Sequence, residues 1–312
     1  MHQEIFPCHP PPPVDDSICT LIRLAIREDL GGLPGEPTAM DRTVQLTIPK
    51  STRVSATIVA KAEGVISGLF LLPAILREYG STTKSDLHLQ DGQAVVAGTA
   101  IATFQGPADS LLSAERVLLN FISRLSGVAT LTRQYVDVAR RSSTSHVPAI
   151  CDTRKTTPGW RVLEKYAVRC GGGVNHRMGL YDGVMLKDNH IAALRSTRPD
   201  HETLATLTSR IRQALPPTTT LWLEVDTLAQ LEQALPNGGA DIILLDNMPV
   251  IELAQAVIIR NTLGQHGHPL LEASGGITLA NLPAVAATGV DRVSIGALTH
   301  HAVGLDLSME FS

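Results

Sequence analysis

The chain has 312 residues, 44% of them hydrophobic and 18% charged, with a formal net charge of −4. That balance belongs to an ordinary globular protein of one large or two modest domains and excludes a disordered or fibrous chain. Aromatic residues make up only 4% and the overall charge is acidic, which excludes a nucleic-acid surface built on basic charge and stacking platforms.

No apolar run reaches the roughly 18–20 residues of a spanning helix. The first residues, Met-His-Gln-Glu-Ile-Phe-Pro-Cys, have no basic region followed by an apolar core, so neither a membrane anchor nor a secretory signal is expected. Cys8, Cys19, Cys151 and Cys170 show no Cys-x-x-Cys spacing, and a reducing cytoplasm is the expected location.

Residues 1–14 include His9-Pro10-Pro11-Pro12-Pro13, an extended lead-in kept out of helix by proline. Asp15 or Asp16 then caps a helix with Ile18, Leu21, Ile22, Ala25 and Ile26 on one face, ending near Leu30-Gly31-Gly32. Residues 31–43, rich in Gly, Pro and polar groups, read as a loop. Over 44–105, short alternating runs with glycine between them predict strands near 54–58, 64–68, 87–89, 94–96 and 101–103. One helix over 70–79 interrupts this α+β region, whose sheet is expected to be largely antiparallel.

A long helix over about 110–140 buries Leu111, Val117, Leu118, Phe121, Ile122 and Leu125, with Gly127 expected to break or kink it. Beyond it, strand-like runs near 149–150, 184–186, 221–223, 242–245, 270–273 and 292–294 alternate with helix-like runs. The helix-like runs lie near 161–170, 202–214, 228–235, 250–263 and 282–287. Repeated βα units imply a parallel sheet, and their uninterrupted succession predicts an α/β barrel with fewer than eight strands.

Ligands of parallel barrels gather at the C-terminal strand ends. Those ends here are Asp152/Arg154/Lys155, Lys187/Asp188, Glu224, Asp246/Asn247, Ser274-Gly275-Gly276 and Ser294-Ile295-Gly296. Any one of them alone is an ordinary cap or turn. All of them in register bring cations, carboxylates and glycine turns to one mouth. The stretch 152–190 carries seven Lys/Arg against four acids, a net +3 that leaves −7 for the rest of the chain. A basic island in an acidic protein suits a small polyanion, and Lys187 directly follows an apolar strand-like run rather than lying on a solvated helix face.

Charge then assigns roles. Glu224 and Asp246, on neighbouring strands, suit Mg2+ held directly or through water, or else ribose hydroxyls. Ser274-Gly275-Gly276 and Ser294-Ile295-Gly296-Ala297 each lead from a strand toward a helix, where free N–H groups make a phosphate cradle. A Walker A sequence is absent, against a P-loop enzyme.

Several motifs resemble the quinolinate phosphoribosyltransferase family. They are Thr153-Arg154-Lys155-Thr156-Thr157-Pro158-Gly159, Gly172-Gly173-Val174-Asn175-His176-Arg177 and Leu186-Lys187-Asp188-Asn189-His190. Glu115-Arg116, Glu224-Val225, Leu245-Asp246-Asn247, Glu272-Ala273-Ser274-Gly275-Gly276 and Ser294-Ile295-Gly296-Ala297-Leu298-Thr299-His300 continue the likeness in the family's order. The resemblance implies an N-terminal open-faced α/β sandwich followed by an incomplete parallel α/β barrel, the type II phosphoribosyltransferase-like fold. The expected division is an arm over 1–14, a first domain over 15–130 rejoined by the tail 300–312, and a barrel over 131–299. Residues 305–311 are an expected edge strand of the first domain.

The implied reaction joins quinolinate to 5-phosphoribosyl-1-pyrophosphate, giving nicotinate mononucleotide, pyrophosphate and CO2 in de novo NAD biosynthesis, with Mg2+ as cofactor. The expected assembly is a homodimer or a multiple of dimers, with small-molecule substrates and no nucleic-acid or membrane partner. By the resemblance, Arg154, His176, Arg177 and Lys187 surround the quinolinate carboxylates and Arg116 reaches in from the neighbouring subunit. Lys155 lies near the pyrophosphate or the dicarboxylate. Lys155, Lys187, Glu224 and Asp246 form the implied catalytic set, and Ser274, Gly275, Gly276, Ser294 and Gly296 the phosphate-binding turns. Arg161 and Lys165 are left to packing or a dimer interface. His190 is expected to be a structural hydrogen-bonding residue; His146, His266 and His268 read as loop residues.

The chain departs from the family pattern in three places. Residues Gly32 through Met40 intervene between Glu28-Asp29-Leu30-Gly31 and Asp41-Arg42-Thr43. Trp160 stands where a smaller apolar residue is usual, and the proline-rich arm is extra. Three other functions fit a barrel of this kind: a related pyrophosphorylase acting on another acid, a Schiff-base aldolase using Lys187, and a pyridine-dicarboxylate sensor without turnover.

Overall fold

A computed structural model describes residues 10–143, 146–197, 202–236, 238–264 and 268–312. Cys8, His266 and most of the expected arm lie outside them. In chain order the elements begin α1 (Asp16–Leu30), α2 (Arg42–Thr47), β1 (Arg53–Ala60), β2 (Gly64–Val65), α3 (Leu72–Glu78), β3 (Lys84–Leu87) and β4 (Ala94–Val95). Next come β5 (Ala100–Pro107), α4 (Ala108–Ser142), β6 (Ala149–Cys151), α5 (Arg161–Cys170), β7 (Gly183–Leu186), α6 (Asp188–Thr197), α7 (Leu204–Ala214) and β8 (Thr220–Val225). The chain closes with α8 (Leu228–Ala234), β9 (Ile242–Asp246), α9 (Val250–Leu263), β10 (Leu270–Ser274), α10 (Leu282–Ala286), β11 (Arg292–Ser294), α11 (Ala297–His300) and β12 (Leu307–Phe311).

Two compact units result. One comprises the chain up to Arg133 with Thr156–Gly172 and Leu298–Ser312; the other comprises Gln134–Lys155 and Gly173–Ala297.

In the first unit, α1 starts at Asp15, whose carboxylate accepts the N–H groups of Ser17 and Ile18, and stops at Gly31 in the left-handed region at φ 76°. Its spacing buries Ile18, Ile22 and Ile26. Residues 42–47, for which no element was expected, form helix α2: Asp41 accepts the Val44 N–H at 2.9 Å and caps it, while Leu46 stays 86% exposed. The sheet order is β12-β1-β5-β3, antiparallel throughout, with β2 and β4 forming a separate antiparallel pair. The tail is thus an edge strand.

Helix α4 runs unbroken for 35 residues, against the expected interruption at Gly127. A Cβ on Gly127 would stand 2.1 Å from the Val303 carbonyl oxygen, so this glycine admits a close backbone approach and makes no kink. Helix α5 is tied to α4 by a fully buried Glu164, which takes Arg124 Nη2 at 2.6 Å and Thr157 Oγ1 at 2.8 Å. Arg124 also donates to the carbonyls of Thr299 and Ala302. The unusual Trp160 stacks on Phe121 with ring centroids 4.7 Å apart.

The second unit is a six-stranded parallel sheet, ordered β6-β11-β10-β9-β8-β7. Its strands are nearly continuous apolar runs, as in β9 where Ile242 through Leu245 are all buried, because parallel strands are covered on both faces. Its ends, β6 and β7, are not paired with each other in that order, which leaves the barrel incomplete. Sequence patterning missed α6 and α11; α6 reads Asp-Asn-His-Ile-Ala-Ala-Leu-Arg-Ser-Thr, too mixed for an apolar stripe.

Candidate active site

Strand register decides which side chains share a face. In a parallel pair, partners point the same way, and residues two apart on one strand do so too. Glu224 pairs with Leu244, Asp246 with Ser274, Ser274 with Ser294, and Glu272 with both Leu244 and Arg292. Trp222, Glu224, Asp246, Glu272, Ser274, Arg292 and Ser294 therefore occupy one face. Lys187 joins them one step beyond the last paired residues of β7 and β8, Leu186 and Leu223.

At the rim, Lys187 Nζ pairs with the Glu224 carboxylate, the lysine 41% exposed and the acid 10%. The sequence assigned Lys187 to an anion and Glu224 to a metal; the register makes them partners. Asp246 Oδ2 accepts Asn247 Nδ2 at 2.7 Å, and Asn247 itself is left-handed at φ 51°. Asn247 N–H donates to the Ser274 carbonyl at 2.9 Å, and a Cβ on Gly275 would come 2.1 Å from Asn247 Oδ1. Gly275, at φ 93°, thus sits where no side chain fits, and Gly276 follows it in the left-handed region at φ 60°, its carbonyl fastened by Asn281 Nδ2 at 2.9 Å. Ser294 is buried at the end of β11, and Gly296 follows before α11. Ile295 N–H donates to the Cys151 carbonyl at 2.9 Å.

The basic loops converge in the same unit. Arg154 and Lys155 are exposed after β6, and Lys155 N–H bonds Thr153 Oγ1 at 3.1 Å. Arg177 Nη1 donates to the Gly183 carbonyl at 3.0 Å. Burial, and then the charge of Arg154, lower the pKa of the Arg177 guanidinium, with Asp182 opposing. The cluster is electrically repulsive, a form of stored affinity for an anion. His190 Nδ1 accepts the Lys187 N–H at 3.1 Å, a backbone-holding role.

Beneath the rim lies a layer in which the sequence assigned a role to His176 but none to Asp152, Trp222, Glu272 or Arg292. Fully buried Asp152 accepts the His176 N–H at 2.9 Å and Asn175 Nδ2 at 2.6 Å. Fully buried Glu272 accepts Arg292 Nε at 2.8 Å and faces His176 Nε2 at 3.4 Å, an ion-pair distance without hydrogen-bond geometry. The His176 ring stacks on Trp222, centroids 4.6 Å apart. The available signal was alternation: Trp222 and Glu272 stand two residues before Glu224 and Ser274.

Arg116 belongs to the other compact unit. It lies on α4 in the first unit, largely exposed, and lines a cleft of about 430 Å3 with Asp29, Asp41, Arg42, Ser113 and Glu115. Arg161 and buried Lys165 likewise belong to the first unit, on α5. Among the described residues no group of three or more His, Cys, Asp or Glu could hold a metal ion. The two carboxylates Glu224 and Asp246 fit Mg2+ that keeps waters and shares substrate oxygens, and do not form a closed protein cage.

An antiparallel α/β unit and an incomplete parallel barrel with cations, two acids and glycine turns at its strand ends define a type II phosphoribosyltransferase-like protein. Comparison with known proteins gives the family. Residues 41–126 match the quinolinate phosphoribosyl transferase N-terminal domain and residues 128–310 its C-terminal domain. A probable nicotinate-nucleotide pyrophosphorylase (carboxylating) of Bacillus subtilis is 45% identical over 255 residues, 82% of each chain. The nicotinate-nucleotide pyrophosphorylase (carboxylating) of Mycobacterium leprae is 39% identical over 297 residues, 95% of this chain and 97% of that one. The solved nicotinate-nucleotide pyrophosphorylase from Francisella tularensis superposes with TM-score 0.81 at 32% identity, covering 95% of this chain and 96% of that one. The chain belongs to the quinolinate phosphoribosyl transferase family.

Proposed function

We infer that the chain is a decarboxylating quinolinate phosphoribosyltransferase. It joins the ring nitrogen of quinolinate to C1 of 5-phosphoribosyl-1-pyrophosphate, releasing pyrophosphate and CO2 and leaving nicotinate mononucleotide. The observation that supports this reading best is the shared face of the barrel strands. It sets a cation cluster beside two carboxylates and two glycine turns, one half for a dicarboxylate and the other for a phosphorylated ribose.

Each residue's work follows from its charge. Arg154, Arg177 and Lys187 bind and orient the two acceptor carboxylates, arginine doing so bidentately, and His176 shapes their site. Lys155 faces the departing pyrophosphate. Ser274, Gly275, Gly276, Ser294 and Gly296 cradle the 5-phosphate through backbone N–H groups. Glu224 and Asp246 would hold Mg2+, which supplies charge to the leaving pyrophosphate. Little proton transfer is needed, so catalysis rests on positioning and on fixed positive charge near the leaving group. Once the ring nitrogen is ribosylated and cationic, it stabilises the carbanion left when the adjacent carboxylate departs as CO2, and that carbon then takes a proton from solvent to give nicotinate mononucleotide.

We further propose a homodimer in which Arg116 of the neighbouring copy completes the acceptor site, and a reducing cytoplasm as its location. The deciding assay follows nicotinate mononucleotide formation from quinolinate and from nicotinate, with and without Mg2+. Quinolinate should be preferred by a large factor and chelation should abolish turnover, because cations gathered for two carboxylates are left unpaired when one is missing. Equal use of the two acids overturns the substrate assignment.

A further inference from the structure

The layer under the rim buries two carboxylates, and Glu272 has the less ordinary surroundings. It is fully buried on β10. One oxygen, Oε2, receives Arg292 Nε at 2.8 Å, while Oε1 makes no hydrogen bond and faces His176 Nε2 at 3.4 Å. A buried oxygen without a hydrogen bond costs stability, and such atoms persist where they serve something else. Here it faces one edge of an imidazole whose other edge is occupied, since His176 Nδ1 accepts the Arg177 N–H at 2.7 Å. The ring's face is fixed as well: Trp222 stacks on it, and the indole occupies the space that a side chain on Gly183 would fill, with Cζ3 2.6 Å from that Cβ position. The Gly183 carbonyl in turn accepts Arg177 Nη1. Glu272, His176 and Arg177 thus form one chain of contacts from the barrel interior to the cation cluster.

We propose that Glu272 is a positioning residue for the acceptor half of the site. It holds the His176 ring, and through that ring Arg177, in the geometry that receives the acceptor's two carboxylates. This rests on the quinolinate reading above. Burial of Glu272 alone would push its carboxyl pKa up; His176 and then Arg292 instead take it below the ordinary value, so it remains the anion this role needs.

The test uses Glu272→Gln, which keeps shape and removes charge, and the paired variant Glu272→Gln/Arg292→Gln, which leaves no uncompensated cation in the core. Quinolinate KM and calorimetric Kd should rise about ten- to hundredfold in both. The KM for 5-phosphoribosyl-1-pyrophosphate should stay within about twofold, because only the acceptor half loses its support. On a His176→Ala background, adding Glu272→Gln should change quinolinate binding little further, since both act through one ring. Equal losses toward both substrates together with a fallen Tm, or an unchanged quinolinate KM, overturn the proposal. A wild-type protein that turns over 5-phosphoribosyl-1-pyrophosphate with another acid but never binds quinolinate overturns the functional reading itself.

Discussion

Lys187 and Glu224 are ion-paired across the ends of β7 and β8. On the functional reading proposed above, an acceptor anion that draws on Lys187 and a metal that draws on Glu224 would compete with this same internal bond.

Glu224→Gln should weaken use of Mg2+ and 5-phosphoribosyl-1-pyrophosphate by about ten- to hundredfold, as should Asp246→Asn. Because Glu224→Gln also frees Lys187, quinolinate affinity measured alone should hold or tighten in that variant. Calorimetry on each ligand separately decides this. A collapse of quinolinate affinity with intact phosphoribosyl donor binding would show that Glu224 belongs to the acceptor half.

Arg116 and Lys187 lie in different compact units. Arg116→Ala and Lys187→Ala should each be nearly inactive as homodimers. If Arg116 acts in its neighbour's site, a mixed dimer has one intact site and one lacking both residues. Random mixing makes half the dimers mixed, so co-refolding should recover roughly a quarter of wild-type activity. Absence of recovery, with mixed dimers demonstrated, would place Arg116 outside a shared site.

Gly127→Ala sets helix propensity against packing. Alanine favours the helix by about 1 kcal/mol, but its Cβ would stand 2.1 Å from the Val303 carbonyl oxygen. Relieving that collision costs about 1–3 kcal/mol, so Tm should fall. A rise in Tm on thermal unfolding would mean that the 302–305 segment yields without cost.

Acid stability should report buried Glu272 with its two partners, His176 and then Arg292. The folded pKa of Glu272 lies below its ordinary 4.5, so its contribution is complete above that value and is lost as pH falls through the lower folded value. The Tm gap between wild type and Glu272→Gln/Arg292→Gln should therefore be widest near neutrality and narrow as pH falls below the ordinary carboxyl value of 4.5. Thermal scans across that range check it, and a gap that widens in acid reverses the sign.

Much of this protein was legible in the chain. The capped start and glycine stop of α1, the βα alternation and the residues closing each strand are local signals, carried by cap chemistry and by period. The rim residues followed because a parallel barrel gathers its strand ends, so position along the sequence implied position in space. Local signals also fell short: Asp41 caps a short helix that apolar spacing did not announce, and Gly127, read as a break, serves a close approach from residues far along the chain. What lay wholly beyond the sequence were pairings between distant segments. Register set Lys187 on Glu224, and assembly of the sheet brought Trp222 and Glu272 against the ring of His176. A side chain's partner depends on which strands become neighbours and in what alignment, and that is decided only when the whole sheet assembles.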